Sequence, residues 1–278
     1  MKKLILILVV FISCSKKEEI SKSEALKGRL YKTYSYINAN LIDSNEYIYD
    51  EANTVISIKK NNKDFLKYNK INDTLCEVSM FYYIDNIKKI KVCRVTTSSN
   101  KIIKIDEFNK VTNSIKSNLL TSTYIGNYPI EITTVEFNDP LLPIVSNIKY
   151  NNFIFEGNNL KSSTAGYYVI PYFGFQYWKE ESLNNEITNI ASSRFISQTL
   201  FNSNQLLNDV IYMMNLNDYY IFPKSDNLYS KVGYINNTID SLEFNTYYFK
   251  THEDTVTQIS VKYYSNQIDS FYTKYYYE

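Results

Sequence analysis

Histidine occurs once in this sequence, at position 252, and cysteine three times, glycine six times and proline five times. Metal centres need converging imidazoles or thiolates and phosphate loops need closely spaced glycines, so little here supports either chemistry. An excess of one charge is also missing. Thirty Lys and Arg face 29 Asp and Glu, a formal net charge of +1, and the charges are scattered. No basic stripe tracks a phosphate backbone, so nucleic acid is not an expected partner. What remains is 44% hydrophobic and 16% aromatic over 278 residues, with 28 tyrosines. That is enough chain for one large or two small domains, and it is neither disordered nor disulfide-dense. Asn, Lys, Ile and Tyr all have AT-rich codons, so tyrosine abundance alone says little about ligand binding.

The first residues carry an address. Lys2 and Lys3 form a positive segment, Leu4 to Ile12 an apolar run, and Ser13-Cys14 a small residue before cysteine. At about 1.5 Å of helical rise per residue, this run covers roughly half of a ~30 Å hydrocarbon core, which predicts a secretory signal and not a membrane span. Phe11-Ile12-Ser13-Cys14 resembles the bacterial lipobox, which implies acylation of Cys14, for instance with palmitate, and cleavage before it. The alternative is an ordinary secreted protein with an incidental cysteine. Residues 1–13 are then a signal peptide, 14–28 a lipid-anchored linker and 29–278 one β-rich extracytoplasmic domain. Loss of Lys2 and Lys3 moves the formal charge from +1 to −1. Lys16-Lys17-Glu18-Glu19 is similar to the surface-export signal of Bacteroidota lipoproteins, with the periplasmic face of the outer membrane as the other destination.

From about Arg29 onward, short β-branched and aromatic segments alternate with polar ones, separated by Asn, Asp and Ser clusters. That pattern predicts an all-β fold, an antiparallel meander of one or more sheets, curved or sandwich-like. The clearest strands are 46–50, 54–60, 74–83, 88–97, 239–249, 256–264 and 270–277. In 256–264, Thr257, Ile259, Val261 and Tyr263 alternate with Gln258, Ser260, Lys262 and Tyr264, the pattern of one packed and one wet face. Leu206, Leu207, Val210, Ile211 and Met214 instead recur at helical spacing, with Ser203 or Asn204 placed as a cap. Residues ~204–215 therefore read as one short amphipathic helix packed on the sheet, its Met213-Met214 pair as core.

Tyr49-Asp50 followed by Val55 and Ile58, and the C-terminal strands ending in Tyr275-Tyr276-Tyr277, resemble the YD-type strand units of uncharacterised Bacteroidota outer-membrane lipoproteins. The turns here use Asn and Asp where that pattern has Gly-Arg-Leu. The resemblance implies a β-rich, extracytoplasmic protein and implies no activity.

Candidate sites are few. Cys76 and Cys93 would meet in an oxidising compartment, where a leftover pair is read as a disulfide. A hairpin register matching Val78 with Val92 puts the two sulfurs on opposite faces unless a bulge intervenes, so pairing stays open. His252-Glu253-Asp254 reads as a solvated turn, because adjacent residues do not converge on one metal or substrate atom. Glu180-Glu181 are a poor proxy for carboxyls facing each other across a cleft, and no catalytic residue, metal site or cofactor is expected. The best ligand platform is the aromatic run containing Tyr168, Tyr172, Phe175, Tyr177 and Trp178, whose rings would stack on sugars or prolines. Asp73-Thr74-Leu75, Asp240-Ser241-Leu242 and Asp254-Thr255-Val256 resemble the O-glycosylation acceptor of Bacteroidota, with Thr74, Ser241 and Thr255 as acceptors.

Together these readings predict a lipid-anchored outer-membrane or cell-surface protein with a non-catalytic binding, adhesion or accessory-subunit role. Glycan capture through residues 167–178 is the alternative, and a hydrolase the third. The expected partners are the membrane itself and a glycan or protein.

Overall fold

The computed structural model describes residues 29–138, 144–167, 174–181, 205–223, 228–236, 241–252, 255–264 and 267–277. The expected signal peptide, Cys14 and the linker lie outside them. Among the described residues the chain forms β1 (Leu30–Ile37), β2 (Asn40–Tyr49), β3 (Val55–Lys60), β4 (Lys63–Asn72), β5 (Leu75–Ile84), β6 (Ile87–Ser98), β7 (Lys101–Asn109) and β8 (Ser114–Ile125). It continues with β9 (Tyr128–Asn138), β10 (Ile144–Glu156), β11 (Asn159–Tyr167), β12 (Gly174–Glu181), the helix α1 (Gln205–Leu216), β13 (Leu228–Asn236), β14 (Ser241–His252), β15 (Thr255–Tyr264) and β16 (Gln267–Tyr277). The fold is the expected all-β antiparallel meander with one short helix.

Each strand pairs with its sequence neighbour, and β1 also pairs with β16, closing the sheet into a barrel. The curved alternative is thus the one found. Sixteen strands carry enough twist and stagger to return to their origin, which removes both sheet edges.

Local chemistry explains how so few glycines suffice for so many reversals. Asn38-Ala39, Asn61-Asn62, Asp85-Asn86 and Ser99-Asn100 each place two consecutive residues at positive φ. Two such residues make the tight turn whose twist matches that of the flanking strands, and Asn and Asp tolerate it because their short side chains bond locally. The β2–β3 turn is held differently, with Asp50 Oδ1 accepting from the backbone N–H of Ala52 and of Thr54 at 3.0 and 2.8 Å.

An up-and-down order sorts the connections into two mouths. The near mouth holds the start of β1, the end of β16, the turns β2–β3, β4–β5, β6–β7, β8–β9 and β10–β11, and the β12–β13 connection that contains α1. The far mouth holds the turns β1–β2, β3–β4, β5–β6 and β7–β8.

Cys76 and Cys93 are both buried free thiols, so the disulfide left open by the sequence is not formed. The expected register is also corrected. The two-residue turn at Asp85-Asn86 sets Ile84 opposite Ile87, which puts Val78 opposite Cys93 and Cys76 opposite Val95. Both sulfurs therefore share a face, as diagonal neighbours. Diagonal positions lie about 7–8 Å apart, beyond the ~4 Å Cβ separation that a disulfide needs.

Candidate functional site: a plugged lumen with a polar outer wall

The helix α1 sits inside the barrel. Leu207 through Asn215 are all buried, on every side of the helix, and Leu207, Val210, Ile211, Met213 and Met214 belong to the main apolar core. A helix buried all round must be enclosed, as an amphipathic one on an open sheet would not be. The Met213-Met214 pair is core, as its spacing suggested.

The wall's inward belt supplies the other half of that core. Tyr47 lies opposite Ile58 and Ile58 opposite Leu66, then Tyr68 opposite Val78, Cys76 opposite Val95, Val95 opposite Ile105, and Ile105 opposite Leu120. Ile132 faces Tyr150 further round. These residues are buried and pack with α1 in one cluster.

Hydrogen bonds fix the helix to the wall. The Tyr212 and Tyr47 hydroxyls meet at 2.7 Å, Tyr47 reaches the Thr33 hydroxyl at 3.2 Å, and Asn45 Nδ2 donates to Thr33 at 3.1 Å. Asn217, just past the helix end, clamps β3: its Oδ1 accepts from the Val55 N–H at 2.8 Å and its Nδ2 donates to the Val55 carbonyl at 3.1 Å. The same Nδ2 donates to the Met213 carbonyl at 3.2 Å and so caps the last turn. Beyond it, Tyr220 N–H donates to Asn100 O and Ile102 N–H to Tyr220 O, both at 2.9 Å, a short parallel bridge onto β7.

Burial tunes the phenols and thiols of this interior. It raises Tyr68, whose hydroxyl lies 3.3 Å from Cys76 Sγ, above its ordinary value. The Cys93 thiol is pushed up to about 12, by burial first and then by the neighbouring Glu107. Tyr124, whose hydroxyl donates to the Ile102 carbonyl at 2.9 Å, is likewise raised by burial to about 12. These groups stay neutral across the physiological range, which suits packing and not nucleophilic work.

The outward belt has the opposite character. Glu46 lies opposite Lys59, Ser57 opposite Lys67, Asn69 opposite Glu77, Glu77 opposite Arg94, and Arg94 opposite Asp106. Ion pairs run across it: Arg94–Glu77 at 3.2 Å, Lys110–Glu77 at 3.0 Å, Lys104–Asp106 at 2.8 Å and Lys149–Glu131 at 2.6 Å. The Arg94 guanidinium also lies over the Phe108 ring, 3.4 Å from its centre. Burial pushes the Glu77 carboxyl upward, but its bonds to Lys110 and Arg94 outweigh this and hold it below its usual range.

The sites expected from sequence scatter around this frame. Tyr168 and Tyr172 lie outside the described residues. Phe175 and Tyr177 stand opposite Ile235 and Gly233, whereas Trp178, opposite Val232, has the other parity in an unbulged stretch of β12. Thr74 is an exposed residue at the β4–β5 turn, and its hydroxyl donates to Asn72 Oδ1 at 3.1 Å. Ser241 and Thr255 are the first residues of β14 and β15. Thus Thr74 stands just before β5, and the other two proposed acceptors open their strands. His252 ends β14, and Glu253 and Asp254 lie outside the described residues. Among the described residues no group of three His, Cys, Asp or Glu could hold a metal, and no helix is long and apolar enough to cross a membrane. Sequence reading missed the Thr33–Tyr47–Tyr212 network and the Asn217 clamp, because both join residues more than a hundred positions apart.

A closed up-and-down barrel with an internal helix defines the structural class. The fold matches a porin-like protein from Bacteroides vulgatus ATCC 8482 with a TM-score of 0.56 at 10% identity, covering 90% of this chain and 99% of that one. It also matches a porin-like protein from Bacteroides uniformis ATCC 8492 with a TM-score of 0.52 at 13% identity, covering 89% and 96%. No protein-family model matches the chain, and no curated protein does. At these identities the likeness is one of fold.

Proposed function

We propose that this protein is a lipid-anchored outer-membrane protein whose barrel stands in water as a plugged scaffold, with a non-catalytic binding or accessory role. The observation that carries this reading is the polarity of the wall. A membrane-spanning barrel turns an apolar band outward and a polar face inward. Over β2–β10 the arrangement here is reversed, with an apolar lumen closed on α1 and an outer belt of ion pairs. Lys67, Arg94, Lys104 and Lys149 stand near the middle of their strands. Each Lys or Arg turned to lipid at the bilayer midplane costs about 2–4 kcal/mol, and a few of them would cancel a total stability of about 5–15 kcal/mol. Such a wall is stable in water and needs a separate attachment, which acylated Cys14 supplies. The porin-like fold of Bacteroides proteins and the lipobox resemblance agree on the envelope of that group of bacteria.

The test is Cys14→Ser behind an ordinary cleavable signal. The expected product is a folded protein, soluble without detergent, that forms no conducting pores in planar bilayers. A variant that stays in the membrane fraction and needs detergent to leave it would refute the reading.

A further inference from the structure

The far mouth carries an apolar skirt. Tyr83, Ile84, Ile87, Ile90, Val111 and Ile115 are all exposed, Val111 by 94%, and they lie on or beside the β5–β6 and β7–β8 hairpins. These hairpins are neighbours in the wall, since β6 pairs β7. Scattered exposed apolar residues need no explanation, but six gathered on two neighbouring hairpin tips mark a contact surface; the near mouth also exposes Ile71, Ile125, Tyr128, Ile130 and Ile154, so it is charge that separates the two ends. Charge differs between the mouths. Around the far turns stand Lys60, Lys63, Lys88, Lys89 and Lys110; Lys60, Lys88 and Lys110 are paired with Asp43, Asp64 and Glu77 at 2.8, 2.7 and 3.0 Å, which leaves Lys63 and Lys89 facing Asp85, whereas the near mouth holds Asp50, Glu51, Asp73 and Glu156 against Arg29, Lys70 and Lys101. Lys63 lies over the skirt's Tyr83 ring at 5.0 Å, and Lys88, paired with Asp64, over the half-buried Phe81 ring below it at 4.2 Å.

We propose that the β5–β6 and β7–β8 tips form a lipid-docking surface that dips into the headgroup region of an anionic bilayer. Apolar tips would enter to the depth of an interfacial segment while Lys63, its stem laid along Tyr83, and Lys89 hold phosphate groups at the level of the skirt. The acidic near mouth fits such a surface poorly. Resting on the lipid-anchored reading, the occupant is the bilayer that holds Cys14. From Cys14 to Arg29 the chain can extend about 50 Å, and a twelve-residue strand tilted by ~40° makes a wall roughly 30 Å tall. A tether fixed beside the near mouth therefore reaches along the wall to a membrane at the far one.

The experiment is co-sedimentation of the full mature chain, as Cys14→Ser, with phosphatidylethanolamine vesicles containing a quarter phosphatidylglycerol, and with neutral phosphatidylcholine vesicles. Binding is expected on the anionic vesicles and should weaken in high salt. The triple variant Ile84→Asp, Ile87→Asp, Val111→Asp should lose at least tenfold in partitioning with an unchanged denaturation midpoint, and Lys63→Glu with Lys89→Glu should lose most of the salt-sensitive part. Ile125→Asp, at the near mouth, should bind within twofold of its parent. No binding to anionic vesicles, or equal binding by the triple variant, overturns the proposal. Loss of self-association in the triple variant without any change on vesicles also overturns it and assigns the skirt to a protein. Failure of the anchored reading would look different, as detergent-dependent extraction of Cys14→Ser whatever the tips contain.

Discussion

Truncation of Asn217 to Ala isolates the bond between plug and wall. The side chain makes three hydrogen bonds, one accepted from Val55 N–H and two donated to the carbonyls of Val55 and Met213. Val55 is 1% exposed, so water does not easily replace the lost acceptor. A buried N–H left unpaired costs about 1–3 kcal/mol, and two carbonyls each losing one of their partners add about 0.5 kcal/mol apiece, for a total of about 2–4 kcal/mol. The substitution adds no bulk and takes no apolar contact from the core, so this figure is nearly all hydrogen bonding. Urea unfolding should show a lower midpoint at unchanged slope. Native-state hydrogen exchange should show the Val55 and Ile102 amides losing protection first, because both face the segment that Asn217 and Tyr220 hold. A loss below about 0.5 kcal/mol, within the range of ordinary surface substitutions, would mean that the helix is held by packing alone and would refute the clamp.

Leu207→Ala should cost about 2–5 kcal/mol by the cavity it leaves in the plug, whereas Lys149→Ala on the outer belt should stay within about 0.5 kcal/mol; equal losses in thermal unfolding would contradict the assignment of inner and outer faces. The Glu77 carboxyl is held below its unfolded value by Lys110 and Arg94, so its contribution is present above the unfolded pKa and lost as pH falls through the folded one. An acid titration of stability should therefore fall less steeply for Glu77→Gln than for the parent, and parallel curves would remove the ion pairs from the account. With Cys93 pushed up to about 12 and both thiols buried, neither Cys76 nor Cys93 should react with a thiol reagent at pH 8 until the chain unfolds, and rapid native labelling would show an open lumen. Protein from its native host should carry added mass on Thr74, Ser241 or Thr255 that the same chain lacks when made without the glycosylation pathway; an intact mass equal to the lipidated polypeptide reduces the three tripeptides to turn chemistry.

Local order was legible in the sequence to the extent that local chemistry decides it. The period-2 segments at 54–60 and 256–264 fall within one residue of β3 and β15, and the 3.6-residue period at 204–215 falls within one residue of α1. The cysteine register was misread because matching apolar residues by face allows either of two offsets. The two-residue turn at Asp85-Asn86 permits only one of them, so the turn held the better information. The inversion of the wall was hidden for another reason. An alternating strand tells which residues share a face but not which face meets solvent, and that is settled only by closure of β1 on β16 and by α1 entering the lumen.

The pairing of Leu30 with Tyr277 joins the two ends of almost the whole chain. Every other strand can zip onto the one just made, so the sheet grows by short steps in order of synthesis. The seam alone must wait, and until the last tyrosine-rich strand arrives β1 is an open edge with its donors and acceptors bare. Contacts of such sequence separation make folding slow, and an exposed edge during that interval is a site for pairing with the wrong chain. The hazard is a neighbour's final strand closing the ring. Lys32, the one charged residue of β1, and the bulge between Leu30 and Lys32 are the kind of irregular, charged edge that discourages such a swap until the right partner is in place.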